Sequence, residues 1–443
     1  MTKACDRLTD DELNAFWMPF STNRLYKASP QILREAEGLY FKSDSGHQVL
    51  DAVSGLWCCS LGHGRKEIAD AVYQQLCTLD YAPSYQLSHE LPFKLSRRLL
   101  NYLPDDFSQV FYVNSGSEAA ETALKMALAY HQLSGKTEKV RLIGRELGYH
   151  GAGFGAISVG GIPNNSRLFP NQLQFTDRLP VARGNTPFIQ GEPEQDDTQA
   201  EKLLDLIDQY SADTIAAVIV EPVSCSGGVL IPPKGYLKRL REICTEHDIL
   251  LIVDEVICGL GRMGHPFASY DRYDVVPDFI TTAKSLANGV IPLGAVFIRS
   301  GIYDTFLSKS DTLVDFFHGY TFSANPAACS AAMACMDICE RENLYHRVSE
   351  LEIYWQQAVH SLKGLPHVKD IRNIGLLAGI ELESAPDELP GYRTWQLFRN
   401  CFEQGLLTRA NGEVLALCPP LIIETADIDR IVSLISDELR KLK

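Results

Sequence analysis

A lysine and an aspartate at the ends of two apolar runs carry the first chemical signal in this chain. Lys284 closes the stretch Asp278-Phe279-Ile280-Thr281-Thr282-Ala283-Lys284, and thirty positions earlier the run 249–253 ends in Asp254. Both runs are short, apolar and β-branched, which predicts strands. If the two strands are parallel, their carboxyl ends share one sheet edge, where α/β proteins bind ligands. A lysine there is a nucleophile toward carbonyl compounds, and a carboxylate ending a buried strand needs a partner. With a phosphate-holding turn nearby, the pair suits an enzyme that carries an aldehyde cofactor as a Schiff base. Taken singly, Lys284 reads as a solvated loop lysine, and Asp254 as a capping residue ahead of Gly259, Gly261 and Gly264.

Asn114-Ser115-Gly116-Ser117 supplies a candidate for that turn. It follows a strand-like run at 109–113 and precedes 118–131, where Ala120, Ala123, Leu124, Ala127, Leu128 and His131 recur at helical spacing. Ser117 is the expected N-cap, and Glu118 and Glu121 favour the positive end of the helix dipole. Free amides of a first helical turn, beside glycine and hydroxyls, can hold an anion. An ordinary capped turn explains the same residues. Gly151-Ala152-Gly153-Phe154-Gly155-Ala156 matches the dinucleotide fingerprint in form only. Residues 145–150 separate it from the strand before, and 157–163 do not read as a helix opening, so a Rossmann nucleotide site is rejected. Tyr149 and His150 precede it, and an aromatic ring there could stack on a flat ligand. Glu221 ends another apolar run, in either an orienting or a structural role. Arg409 could clamp a carboxylate with two hydrogen bonds, or be an exposed loop arginine.

The elements that must position these residues alternate along the chain. Strand-like runs at 140–143, 214–220, 249–253, 279–282 and 294–298 are separated by helical stretches such as 235–247. Continuous apolar strands with helices between them predict a mainly parallel sheet covered on both faces. Residues 184–199, rich in Gly, Pro and acids, read as an exposed insertion loop. After Pro326 a small-residue helix at 327–340 and an amphipathic stretch at 344–362 lead to strand-like pieces at 374–381 and 414–417. These predict a second, smaller α+β domain.

A chain of 443 residues is long for one core. The net charge of −15 argues against a nucleic-acid or anionic-membrane surface. No apolar run reaches membrane-spanning length, and residues 1–7 show no secretory leader. The twelve cysteines include no paired CxxC motifs, so zinc is not expected. They read as reduced thiols of a cytoplasmic protein, with no disulfides and no metal.

With these pieces in place, the chain resembles the class III aminotransferases, which depend on pyridoxal phosphate. Within them it is most similar to the β-alanine (ω-amino acid):pyruvate transaminases. The resemblance runs nearly end to end, from Phe16-Trp17-Met18-Pro19-Phe20-Ser21 and Ser54-Gly55-Leu56-Trp57-Cys58 through Gly148-Tyr149-His150-Gly151 to the blocks 251–264, 283–294, 318–326 and 406–420. It implies a fold type I α/β architecture: a large domain with a mainly parallel seven-stranded sheet and a smaller α+β domain. The implied divisions are an N-terminal segment of the small domain (1–55), a large cofactor-binding domain (56–325) and a C-terminal small domain (326–443).

The resemblance also implies residue roles. Lys284 carries pyridoxal phosphate, Asp254 faces its pyridine nitrogen, and Val256 and Tyr149 take the two ring faces. Ser115, Gly116 and Ser117 surround the phosphate, with His150 and Glu221 beside the cofactor. Thr321 reaches the phosphate from a neighbouring subunit, so a homodimer or homotetramer with shared sites is expected. Phe20, Trp57 and Tyr85 wall the substrate pocket, and Arg409 takes substrate carboxylates. The reaction implied moves an amino group from an ω-amino acid or primary amine to pyruvate, giving alanine. An aminomutase or decarboxylase on the same scaffold is the alternative. Ser285, Asn325 and Cys258 depart from the family's usual glycine, histidine and threonine.

Overall fold

The computed structural model describes residues 8–196 and 198–442. Residues 1–7, where a leader was not expected, lie outside the described residues, as does Cys5. Seven strands build the principal sheet: β1 (Phe107–Val113), β2 (Arg141–Arg145), β3 (Thr176–Leu179), β4 (Ile215–Val220), β5 (Leu250–Asp254), β6 (Phe279–Thr282) and β7 (Gly294–Arg299). Their spatial order is β1-β7-β6-β5-β4-β2-β3. Neighbours from β3 across to β6 pair in parallel. Only β7 runs the other way, against both β1 and β6.

Every residue of β4 and β5 is buried. Their alternate side chains feed two cores, which is why these strands read as unbroken apolar runs. Ala217, Ile219 and Ile252 pack with Ala119, Ala120 and Ala123 of the helix Gly116–Leu133. Val218, Val220, Leu251 and Val253 pack on the opposite face with Leu203, Leu237 and Leu240 of the helices Lys202–Tyr210 and Tyr236–Glu246.

Two small sheets flank this body. In one, Leu33–Glu37, Tyr40–Ser43 and Gln48–Asp51 form a meander closed by Leu406–Leu407, which pairs in parallel with Gln48–Asp51. The other joins Val368–Ile374, Leu377–Leu382, Val414–Leu417 and Arg409–Asn411 in antiparallel order. The run 374–381, expected as one strand-like piece, is therefore mostly the second arm of a hairpin, with Gly375 at the turn in left-handed backbone (φ 52°). A Cβ at Gly375 would stand 2.5 Å from the Arg262 carbonyl oxygen, so the turn needs glycine for space as well. The charged first arm, with Lys369, Asp370 and Arg372, hid its strand character.

Three further expectations need correction. Ser115, not Ser117, caps the helix Gly116–Leu133, its hydroxyl accepting the Glu118 amide at 3.1 Å. Ser117 already lies inside the first turn. Residues 154–159 do form a short helix, Phe154–Val159. Glu121 from the neighbouring helix accepts its Ala156 amide at 2.9 Å, and a Cβ at Gly153 or Gly155 would strike that carboxylate at 2.3 or 2.6 Å. These glycines thus permit close helix packing rather than nucleotide approach. The described part of the 184–199 loop is irregular as expected but not free: Gln190 bridges to Asn373 and Phe188 is half-buried.

Candidate functional site

The carboxyl ends of β5 and β6 deliver Asp254 and Lys284 to one cavity of about 380 Å³. Asp254 is the last residue of β5, paired with Thr281 of β6. Three residues later Lys284 opens a 3₁₀ turn, Lys284–Ala287, with a left-handed φ of 45°. Such a conformation in a non-glycine residue costs energy and persists only where the surroundings impose it. Burial pushes the Lys284 amine down from the ordinary lysine value, against the opposing pull of Asp254 and of the Cys225 and Cys58 sulfurs.

Asp254 is buried, and its carboxylate lies 2.8 Å from His150 Nδ1 and accepts the Val256 amide at 3.1 Å. His150 is itself buried, and its Nε2 has no hydrogen-bond partner among the described residues. Beside them Glu221 accepts the Tyr149 amide and the Ser224 hydroxyl, each at 3.0 Å. Burial raises the Glu221 carboxyl, and His150 opposes that shift. Glu221 thereby fixes the backbone of Tyr149, whose ring lines the cavity. Burial, then the charge of Asp254, raises the Tyr149 phenol.

The helix Gly116–Leu133 aims its amino end at the same space, and Gly116 and Ser117 line it. Gly116 has no room for a side chain: a Cβ would lie 2.8 Å from Val256 Cγ1. At Gly151 (φ 124°) a Cβ would sit 2.5 Å from Ser117 Oγ, which accepts the Ala152 amide at 3.2 Å. The two glycines therefore let Val256 and the 151 loop pack onto the helix terminus, whose first-turn amides can hold an anion.

On the outer side stand Phe20, Trp57 and Arg409. Trp57 is buried and left-handed (φ 64°) in a turn tied to Asp51, which accepts the Val53 and Gly55 amides at 2.9 and 2.6 Å and lies 2.8 Å from His63 Nε2. Arg409 is half-buried on a short strand, its Nε 3.4 Å from Asn411 Oδ1. Burial lowers its guanidinium from the ordinary value, with Tyr149 opposing.

Of the residues expected here, Ser115 works from behind as the helix cap. Tyr85 and Thr321 lie outside the cavity, together on another surface. Tyr81 Oη donates to the Thr321 carbonyl at 3.0 Å, and a Cβ on Gly319 would meet the Tyr85 ring at 2.9 Å. Tyr85, Leu87, Phe317 and Phe322 are exposed there. Asn164, Asn165, Ser226 and Asn411 also line the cavity, though no pattern in the sequence marked them. Each departure residue has a local partner: Ser285 Oγ meets Ser60 Oγ, Asn325 caps the helix Pro326–Arg341, and Cys258 Sγ lies 3.7 Å from the Val223 carbonyl.

Comparison with known proteins settles the family. The model for aminotransferase class-III matches residues 22–439. This chain belongs to the class III aminotransferases. It is 49% identical to an omega-aminotransferase of Caulobacter vibrioides over 96% of this chain and 97% of that protein. It is 43% identical to a beta-alanine–pyruvate aminotransferase of Pseudomonas aeruginosa over 96% of each. Among solved structures, an omega transaminase of Pseudomonas jessenii in complex with PMP superposes with a TM-score of 0.93, at 31% identity over 98% of both chains.

The aminotransferase is thus an enzyme dependent on pyridoxal phosphate, with the fold of that group. Its cavity fits the cofactor on its own evidence. A lysine amine whose charge burial disfavours, a buried carboxylate lining the cavity and a helix terminus that opens onto it match an aldehyde, a basic ring nitrogen and a phosphate. Among the described residues no helix is long and apolar enough to cross a membrane.

Proposed function

We propose that this aminotransferase moves an amino group from an ω-amino acid, β-alanine above all, or a primary amine to pyruvate, releasing alanine and an aldehyde or keto product. The reading is carried by Arg409, which shares the cavity with Lys284 and has only Asn411 as a hydrogen-bond partner among the described residues. A half-buried guanidinium without a carboxylate partner suits a ligand that brings one. The names of the Caulobacter and Pseudomonas relatives support the same substrates.

When bound, pyridoxal phosphate supplies a carbonyl that captures the amine and a cationic ring that draws electrons from the substrate carbon. The chain does the rest. Lys284 would hold the cofactor, and its Nζ, with its charge disfavoured by burial, would be placed to take the proton from the substrate carbon bearing the amino group. Asp254, steadied by His150, keeps the ring nitrogen protonated. Val256 and Tyr149 confine the ring between them, with Glu221 fixing Tyr149. Gly116 and Ser117 hold the phosphate on the terminus that Ser115 caps. Phe20 and Trp57 wall the substrate side, and Arg409 takes its carboxylate.

Tyr85 and Thr321 serve the site of a second copy, so the working unit is at least a homodimer, in the cytoplasm. Their exposed aromatic surroundings support that reading. The segment 1–55 works with 326–443 as a small domain around the large domain 56–325. A panel of ω-amino acids and amines with pyruvate as sole acceptor tests the function. Alanine should form fastest with carboxylate-bearing donors, and failure to form it with any donor overturns the reading.

A further inference from the structure

Cys58 and Cys59 directly follow Trp57, and their Sγ atoms stand 3.8 Å apart. Both are half-buried. A Cβ on Gly289 would come within 2.9 Å of Cys58 Sγ and 3.3 Å of Cys59 Sγ, and one on Gly55 within 3.2 Å of Cys59 Sγ. The two sulfurs therefore fill a seam between the Trp57 turn and the segment that follows Lys284. Transamination uses neither.

We propose that Cys58 and Cys59 form a modification site for small hydroperoxides, where oxidation closes a disulfide between adjacent residues and displaces Trp57. The Cys58 thiolate attacks one peroxide oxygen; the O–O bond breaks and, with a proton, an alcohol or water leaves. The Cys59 sulfur then attacks the resulting sulfenic sulfur. The S–S bond forms, the S–O bond breaks, and the departing oxygen leaves as water with the Cys59 proton. Two thiols and one hydroperoxide become a disulfide, an alcohol and water, and a dithiol reductant reverses the change.

The electrostatics fix the order of attack. Hydrogen bonds from the Cys59 thiol and the Leu56 backbone favour the Cys58 thiolate, whereas that neighbour and burial push the Cys59 thiol up. Burial disarms other thiols: Cys244, Cys329, Cys401 and Cys418 are pushed up to about 12. A disulfide needs a sulfur separation of about 2.05 Å, so the pair must close well over 1 Å. Gly289 packs against one side, leaving the Trp57–Cys59 backbone to absorb the shift.

The test treats holoenzyme with hydrogen peroxide and follows the peptide containing both cysteines by mass, with KM for an arylalkylamine in parallel. We expect that peptide to lose two hydrogen atoms, reversibly with dithiothreitol, and KM to rise about fivefold or more, as for ångström-scale misplacement of a substrate wall. Cys59→Ser should stop at a sulfenic acid on Cys58 that dimedone traps, while Cys58→Ser should trap nothing at this site. Cys77→Ser, at an exposed position, should behave as wild type. Oxidation of Cys77 with the 58–59 peptide still reduced overturns the proposal. So does thiol loss in Cys58→Ser at the wild-type rate. The peptide mass of the wild-type protein decides the question even if a serine variant folds poorly.

Discussion

The imidazole of His150 lies 2.8 Å from the Asp254 carboxylate and holds it from inside the protein, leaving that carboxylate's other oxygen on the Val256 amide. Because His150 touches Asp254 rather than a reacting atom, the two should differ in their cost. Asp254→Asn should lower kcat by about 10²-fold or more, by weakening the charge that stabilises the transition state. His150→Ala should cost about 10- to 100-fold, as loss of an outer-shell partner does. Equal losses, measured in steady state with saturating cofactor, would count against the division of labour.

Gly116 and Val256 are coupled by space. Gly116→Ala should weaken cofactor binding, read as a higher pyridoxal phosphate concentration for half-reconstitution of apoenzyme. Val256→Ala in the same chain should recover part of that loss by removing the Cγ1 atom 2.8 Å from the new Cβ. No recovery in the double variant would sink the steric explanation.

Lys284 gives a pH prediction whose sign follows from its depressed value. Between that value and the ordinary 10.5, the unfolded chain binds more protons than the folded one, so this group's contribution to apoenzyme stability rises with pH. Lys284→Met should therefore melt higher than wild-type apoenzyme at neutral pH, and the gap should narrow toward pH 10.5. A gap independent of pH in calorimetry would show that burial does not depress this amine.

Arg409→Met should lower kcat/KM for β-alanine by about 10- to 100-fold, the worth of a charge-assisted hydrogen-bonded pair. Simple amines lacking a carboxylate should lose much less in the donor half-reaction. Parallel losses for both donor types would remove Arg409 from its role.

Tyr85 and Thr321 predict complementation. Lys284→Ala and Thr321→Ala homodimers should each be impaired, whereas mixed dimers refolded together should regain activity, since one of their two sites would have both residues intact. Mixed dimers no better than the average of the parents would place Thr321 elsewhere.

Lys284 and Asp254 were legible because a parallel sheet turns two apolar runs into two neighbouring carboxyl ends, a relation that local residue types carry. Arg409 and Trp57 were harder: their approach depends on contacts between residues far apart in the chain. The Asp51–His63 pair, which ties the Trp57 turn, left no local trace, since two polar residues twelve apart have no periodicity to reveal them. Hydroxyls at 115 and 117 satisfy the same capping rule in sequence, and only the backbone dihedrals single out Ser115. The helix Phe154–Val159 has little local signal, since Glu121 on another element supports it and its own sequence is glycine-rich.

The two-residue strand Leu406–Leu407 has a consequence out of proportion to its length. It pins Ala52 through the Leu407 carbonyl at 2.9 Å, and so binds the stretch leading to Trp57 to the stretch leading to Arg409. Lys284 and Asp254 hang from a different sheet altogether. In the proposed reading, selectivity thus hangs chiefly from one sheet and reactivity from another, joined where Ser60 meets Ser285.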